Sequence, residues 1–348
     1  RVQRVAVDAS GTSERWRGSI ELRAADPELR IGGVPIGVMR PIALQAHVER
    51  ERATVMIEEM RATLGTLTLR ARGDATIEPW RVALAVESES AGAVTLATDR
   101  TPIQVSAFDG RVTIDHDGAA LEPVRLHVDG APVEVRGWIT GIDPPALDVR
   151  VEGRPFDGTL AADLVLEPAG AARARVEVTD FDLARAVAWL APDLRGRIEG
   201  RAAGASVLTA RLVDGALVAG SLAGSGTFTL HGGRLHEVNL PDLVVAQIES
   251  ISLMPRLVSA RTRSRYADLF ASRDTVIESA RVPFTIGHSR LSTEQATLDN
   301  PAYQITGKGW IDEAQELRFH GSVLLGASVS RTLRDDVHAA RYLAADDG

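Results

Sequence analysis

The sequence predicts a mainly β chain, an elongated antiparallel sheet built from repeated hairpins with a few short helices. Apolar and polar residues alternate with period two along most of the 348 residues, which sets every second side chain on one face of a strand. Gly, Asp and Pro separate the alternating runs in the way that turns separate strands. A short phrase also recurs far along the chain, as is typical of repeat proteins.

The alternating runs are spread over the whole chain. They include 66–73, 81–88, 110–118, 146–153, 174–182 and 226–233. The dipeptides Asp117-Gly118 and Asp129-Gly130 stand between such runs, and Gly tolerates the positive φ that tight hairpin turns require. We therefore expect neighbouring runs to pair in antiparallel fashion.

Helical spacing is confined to three places. The first is 180–192, where either Asp180 or Asp182 can cap a helix that the following Pro ends. The second is 241–255, which begins and ends with Pro, and the third and weakest is 266–271. These segments are expected to be short plugs or caps on the sheet.

The recurring phrase is VEVRGWI at 133–139, which returns as ITGKGWI at 305–311. In each copy an alternating strand is followed by a turn and a returning strand, at 147–151 and at 317–319. A weaker third copy begins at 69–73. Self-similarity of this kind predicts an array of hairpins in which each unit packs mainly on its neighbours.

Composition and charge argue against several classes of protein. The net charge of −8 and the pI near 5.6 disfavour a nucleic-acid partner, because phosphate binding needs a basic surface. The absence of cysteine removes disulfides, thiolate zinc sites and cysteine nucleophiles. The longest apolar-rich run, 205–224, contains Arg211 and Asp214, so we expect no membrane-spanning helix. Because the sequence begins at Arg1 without a leader, we expect a piece of a longer protein.

Residues 265–325 resemble the C-terminal region of AsmA-like envelope proteins. That family has a helix, a strand that ends near an Asn-Pro or Ser-Pro turn, a Gly-x-Gly strand and a returning strand. Here LDNP at 298–301 and GKG at 307–309 stand at those places, and 221–243 is similar to the family's strand, glycine turn and helix entry. The resemblance extends over 175–348. The first half of the chain shares only the general pattern of alternation and glycine turns.

The resemblance implies a long, twisted sheet curled into an open groove, in proteins that line the space between two bacterial membranes and carry phospholipid. We expect two parts, an N-terminal part of the groove array over 1–174 and an AsmA-like C-terminal region over 175–348. The expected location is the periplasm, in a membrane-tethered parent protein. Expected partners are phospholipid acyl chains, the inner and outer membranes through parts outside this sequence, and other envelope proteins, with no cofactor and no nucleic acid.

A groove also has a physical basis that does not depend on the family. An alternating sheet that does not close round a packed core has an apolar face that needs a partner, and lipid tails can be that partner. Moving an acyl chain of about 16 carbons through water costs on the order of 12 kcal/mol, at ~0.8 kcal/mol per methylene. From alternation alone, the residues predicted to line the groove are Leu67, Leu69, Leu84, Val86, Val133, Val135, Ile139, Leu147, Val149, Ile305 and Phe319.

Candidate chemical groups carry weaker signals. Asp115, His116 and Asp117 are ligand types that suit Zn or Mn, but neighbouring strand residues point to opposite faces, so we do not expect them to converge. His231, His236 and Glu237 lack the spacing of a zinc protease and are interpreted as polar residues around a turn. Trp138 and Trp310 are expected on the face opposite the groove. No catalytic residue and no metal site are predicted.

Two other functions remain open at the level of sequence. One is a structural or adhesive envelope scaffold whose apolar face is packed by the protein itself. The other is a carbohydrate-active β-solenoid enzyme, which would need two facing carboxylates on adjacent strands, and alternation indicates no register that pairs them. The prediction favoured by the resemblance is a non-enzymatic segment of an intermembrane phospholipid-transfer conduit.

Overall fold

The computed structural model describes residues 2–12, 14–24, 28–31, 34–38, 42–51, 53–64, 66–97, 102–141, 146–213, 216–240, 242–243, 264, 266, 272–314 and 316–336. These residues are mainly β-strands in antiparallel pairs, the sheet is open, and the helices are few and short, which confirms the predicted fold class. The chain divides into two compact units, unit 1 (Arg1–Glu177 with Ser206–Gly224) and unit 2 (Val178–Ala205 with Ser225–Gly348). The division expected after residue 174 lies close to the end of the first segment of unit 1. The sequence did not indicate that a later segment returns to that unit.

Unit 1 is built from strands and one 3₁₀ turn, Pro155–Asp157, among the residues described in it. Its strands are β1 (Val2–Gly11), β2 (Arg15–Ala24), β3 (Glu28–Ile31), β4 (Val34–Val38), β5 (Ile42–Glu51), β6 (Thr54–Leu64), β7 (Leu67–Ile77), β8 (Trp80–Ser88), β9 (Ala93–Ala97), β10 (Ile103–Asp115), β11 (Gly118–Val128), β12 (Ala131–Thr140), β13 (Ala146–Gly153), β14 (Thr159–Leu166) and β17 (Ala216–Leu217). Three strands have residues in both units: β15 (Ala171–Asp182), β16 (Ile198–Val213) and β18 (Ala223–Leu235).

The ladder of unit 1 follows the order of the chain, except that it passes over β3 and β4 at one point and over β9 at another. Antiparallel pairs run from β1 to β2, β5, β6, β7, β8, β10, β11, β12, β13 and β14 in turn. Strand β9 pairs with the first part of β10, and the β3–β4 hairpin joins the ladder through β9. The predicted turns at Asp117-Gly118 and Asp129-Gly130 connect consecutive strands, and Asp129 and Gly130 have the positive φ values of 48° and 81° that such a turn needs.

Unit 2 contains strands β19 (Thr275–Gly287), β20 (Arg290–Asn300), β21 (Tyr303–Asp312) and β22 (Leu317–Leu325), paired in that order and antiparallel. Helices α1 (Leu183–Leu190) and α2 (Ala327–Asp336) and a 3₁₀ turn at Pro192–Leu194 lie in the described part of this unit. Asp182, one of the two predicted caps, accepts a hydrogen bond from the Arg185 N–H at 3.1 Å and fixes the start of α1. The helices predicted at 241–255 and 266–271 lie almost wholly outside the described residues.

The recurring phrase marks the central strand of a three-stranded unit. All three copies lie on strands that pair with the strand following them, β12 with β13, β21 with β22 and β7 with β8, as predicted. The strand before each copy carries one extra residue at the same place, within Glu122-Pro123, Glu294-Gln295 and Glu58-Glu59. Such β-bulges bend a strand and increase its twist, so each repeat places a bend at one fixed point of the sheet.

Glycine stands next to each bulge because the neighbouring backbone comes too close for a side chain. A Cβ added to Gly137, whose φ is +140°, would overlap the Asp148 carbonyl oxygen and lie 2.7 Å from the Val149 Cα. A Cβ on Gly309 would overlap the Arg318 carbonyl oxygen and lie 3.0 Å from the Phe319 Cα. The phrase therefore recurs for a structural reason, which is the close approach of the returning strand.

Replacing Gly137 with Ala should destabilise the protein by about 1–3 kcal/mol, because the new Cβ meets backbone at a φ that favours glycine. Urea unfolding of the variant and of wild type measures this difference. Gly287→Ala is the control, since no atom lies within 4 Å of the added Cβ. Equal stability of the two variants would contradict the explanation of the repeat.

Candidate functional site: apolar sheet faces

A row of cross-strand neighbours in unit 1 shows how the sheet separates its side chains. Each residue is the register partner of the next: Ala9, Gly18, Val48, Ile57, Gly73, Leu84, Val112, Leu121, Gly137, Val149 and Leu164. Every member is apolar or glycine. Because strands lie about 4.8 Å apart, the row follows roughly 48 Å of sheet from β1 to β14.

The rows on either side of this one have the same character. One runs through Val7, Ile20, Ala46, Met60, Ala71, Val86 and Gly110 and continues, beyond the bulge, through Val124, Val135, Val151 and Ala162. The other runs through Trp16, Arg50, Val55, Ala75, Val82, Ile114, Ala119, Ile139, Leu147 and Leu166. Arg50 is the single charged residue in the three rows. We call this side the apolar face of unit 1.

All nine predicted groove residues of unit 1 lie on this face. They are Leu67, Leu69, Leu84, Val86, Val133, Val135, Ile139, Leu147 and Val149. Leu67 and Leu84 are buried, with 3% and 9% of their surface exposed, and the other seven are only half-buried. Half-burial means that the side chains contact their neighbours in the sheet while part of their surface remains open to solvent.

The opposite face of unit 1 carries charged residues in ion pairs, both between neighbouring strands and along one strand. Arg17 contacts Glu49 at 3.0 Å, and Glu152 accepts hydrogen bonds from Arg136 at 3.0 Å and Arg150 at 2.7 Å. These side chains are exposed, so each pair contributes little to stability. These charged side chains make this face polar and solvated, whereas the other face offers apolar side chains.

In unit 2, one apolar sheet face forms an open cavity of about 470 Å³. We call it the unit 2 cavity. It is lined by Phe228, Val282, Phe284, Ile286, Leu291, Ser292, Thr293, Gly309, Trp310, Ile311, Leu317 and Phe319. No residue in this lining is charged. The volume lies within the range of roughly 300–1,000 Å³ that is usual for small-molecule sites.

Cross-strand register explains the cavity wall. Ile286 pairs with Leu291, Leu291 with Ile311, and Ile311 with Leu317, so an apolar row crosses all four strands of the ladder. Several of these side chains are exposed, and Leu317 most of all, at 67%. The row is therefore an apolar surface that the described residues leave open.

Other parts of the unit 2 face are filled by the protein itself. Leu183 of α1 is buried in a cluster with Ala202, Leu230 and Ile277. Partly buried apolar residues pack against that cluster, and they are Phe181, Val187, Ile198, Phe228, Ala280 and Leu298. Phe228 belongs to both the cluster and the cavity wall. The cavity thus begins where the packed cluster around the helix ends.

The predicted groove residues of unit 2 have different positions. Phe319 lines the cavity, whereas Ile305 is half-buried in the row between Leu298 and Val323, outside the cavity lining. Phe284 also lines the cavity and was not predicted, although it alternates with Val282 and Ile286 in the sequence. Three phenylalanines line this cavity.

Both tryptophans of the recurring phrase follow the predicted alternation. Trp138 is 52% exposed and pairs with Asp148 on the charged side of unit 1. Trp310 alternates with Ile311 along β21, and the Arg290 guanidinium carbon lies 4.2 Å from the centre of its ring. The indole of Trp310 therefore stacks on arginine on the face opposite Ile311. Trp310 is among the residues that line the cavity because it stands between Gly309 and Ile311 in the strand.

Asp115, His116 and Asp117 contradict the expectation that they would not converge. One potential ligand atom from each residue lies within 4.8 Å of the others. The hairpin end causes this, because the chain turns directly after Asp115, whose carboxylate accepts hydrogen bonds from the Asp117 and Gly118 N–H groups at 2.9 and 3.2 Å. His116 and Asp117 are exposed, so the cluster remains a solvated turn.

His236 lies at the end of β18 in an ionic cluster of unit 2. Its Nδ1 is 3.2 Å from Asp274 Oδ2, and its Nε2 is 3.4 Å from Glu199 Oε1. The Glu237 N–H donates to the second Asp274 oxygen at 3.1 Å. His236 and Glu237 are turn residues, as predicted, whereas His231 lies within β18 and not in a turn.

Facing carboxylates do occur on adjacent strands, which corrects the expectation that no register pairs them. Glu134 of β12 pairs directly with Glu152 of β13 on the charged face of unit 1. The hydrogen bond from Arg150 lowers the pKa of Glu152, with smaller contributions from Arg136. A glycosidase needs one carboxyl whose pKa is raised so that it can donate a proton at neutral pH. The Arg150 contact acts in the opposite direction.

No family model matches the chain, and no curated protein sequence matches it. The AsmA-like resemblance of residues 175–348 therefore stays a prediction that rests on its own motifs. No helix among the described residues is both long and apolar enough to cross a bilayer.

The buried ring of Tyr303 allows a test of how unit 2 is packed. It is 3% exposed, and burial raises its pKa to about 12 from the usual 10. Between these pH values the folded chain retains a proton that the unfolded chain has lost, so the free energy of unfolding should fall as pH rises from about 10 to about 12. Chemical denaturation across this range should show a shallower fall in Tyr303→Phe. An equal slope in both proteins would contradict the burial of this ring.

Proposed function

We propose that this protein is a non-enzymatic segment of a conduit that shields phospholipid acyl chains on apolar sheet faces between the inner and outer membranes of a bacterial envelope. The observation that carries the proposal is the pairing of an open apolar face with a charged face on one antiparallel ladder. An acyl chain needs contact with apolar side chains along its whole length and no specific polar partner. The apolar face of unit 1 and the unit 2 cavity both offer such a surface.

The energetic argument concerns the cost of exposing a lipid tail to water. At ~0.8 kcal/mol per methylene, a chain of about 16 carbons gains on the order of 12 kcal/mol when it is fully covered. A half-buried sheet face recovers part of that free energy for the tail and covers its own exposed side chains as well. A continuous face lowers the barrier to movement, because no step along it returns the whole chain to water.

The proposed location and the proposed partners have a different basis from the proposed binding of lipid. The periplasmic setting, the two membranes, the tethered parent protein and other envelope proteins as partners are implied by the AsmA-like resemblance alone. The sheet faces support the binding of hydrocarbon chains. The two parts of the proposal therefore have separate tests, and the binding part is tested first.

The substitution Val135→Asp places a charge in the middle of the apolar face of unit 1. It should weaken the binding of a phospholipid with a fluorescent headgroup by at least about tenfold, because an unpaired carboxylate has to be desolvated against the tail. Thr140→Asp is the matched control, since it adds the same charge to the same strand on the opposite, exposed face. Fluorescence titration of delipidated protein gives the affinities, and circular dichroism checks the fold. Equal loss in both variants would contradict a role for this face.

For the unit 2 cavity, Ile311→Asp should abolish the uptake of a fluorescent fatty acid, because Ile311 is at the centre of the apolar row. Leu324→Asp is the control, since Leu324 is 70% exposed and lies outside the cavity lining. The measurement is the saturable fluorescence change on titration. If wild-type protein shows no saturable uptake, the structural scaffold with a self-packed apolar face replaces the lipid-binding proposal.

A further inference from the structure

Phe319 lies flat across three glycines on the cavity side of unit 2. Its register partner is Gly309, and an ideal Cβ on Gly309 would lie 2.9 Å from the ring atom Cδ2. A Cβ on Gly321 would lie 3.0 Å from Cε1, and a Cβ on Gly307 would overlap the ring. The ring therefore extends from its own cross-strand row over the next row, where Gly307 pairs with Gly321.

The ring is placed at the border between the open and the filled parts of the face. On one side is the cavity row that ends in Ile311 and Leu317. On the other side is the row of Leu298, Ile305 and Val323, and Leu298 packs against the buried cluster. On β20, β21 and β22 the intervening row consists of Ala296 and two glycines, and the phenyl ring covers the two glycines.

We propose that Phe319 determines the length of the hydrocarbon chain that the unit 2 cavity accepts. This inference rests on the proposed binding of acyl chains and adds the residue that ends the site. The ring is 48% exposed and lies on bare backbone, so its removal opens the strip beneath it. One row corresponds to about 7 Å at ~3.3 Å per residue. With C–C bonds of ~1.5 Å, this is room for roughly five methylenes of an extended chain.

The test is a competition experiment on the full chain with saturated fatty acids of increasing length. Each acid displaces a fluorescent fatty acid from wild type, Phe319→Ala, Phe319→Leu and the control Leu324→Ala. The preferred chain should lengthen by roughly five methylenes in Phe319→Ala, by the row spacing above. It should lengthen less in Phe319→Leu and stay unchanged in Leu324→Ala, which alters the same strand on its other face.

The outcomes separate this inference from the proposed function. An unchanged preferred length in a folded Phe319→Ala that still binds would overturn the role of Phe319 and leave acyl binding standing. Failure of wild type to bind any of the acids would overturn both. Circular dichroism shows whether Phe319→Ala folds, and if it does not, Phe319→Leu decides, since leucine still covers the glycines but is shorter than phenylalanine.

Discussion

The protein depends on strict two-residue alternation maintained across a long antiparallel ladder. In such a ladder a slip of one residue would move every side chain of a strand to the other face, so the rows stay apolar only if each register is kept. Unit 1 keeps them apolar from β1 to β14, with Arg50 as the single charged residue in the three rows described. The separation of apolar from charged side chains, and with it the candidate lipid surface, follows from that register.

The bulges are compatible with this register because each adds a residue at the same place relative to its glycine. An extra residue would normally shift the pattern, yet the rows resume beyond it, as Val124 and Val135 do in unit 1. The repeated unit of bulged strand, glycine strand and returning strand thus adds a bend without mixing the two faces. In unit 2 the same unit has a second glycine, Gly307, and Phe319 covers the space that this glycine leaves.

Much of the fold could be predicted from the sequence, because alternation and turn dipeptides are local signals. The hairpins, α1 and the shared face of Val133, Val149 and their neighbours were predicted correctly for that reason. The bulges, the filled part of unit 2 and the convergence of the Asp115 cluster were not predicted. They depend on register and on side chains distant in sequence. Tertiary packing likewise decides which parts of an apolar face are covered by the protein's own side chains. For this reason Phe319 lines the cavity and Ile305 does not.

Native mass spectrometry tests the central claim most directly. The delipidated chain would be incubated with phospholipid vesicles, separated from them and sprayed without detergent. The lipid-shielding account predicts complexes whose added mass equals one or more intact phospholipids, released at higher collision energy. A spectrum that contains only the bare protein, under conditions in which its fold is retained, would contradict the account and favour a scaffold that packs its own apolar surface.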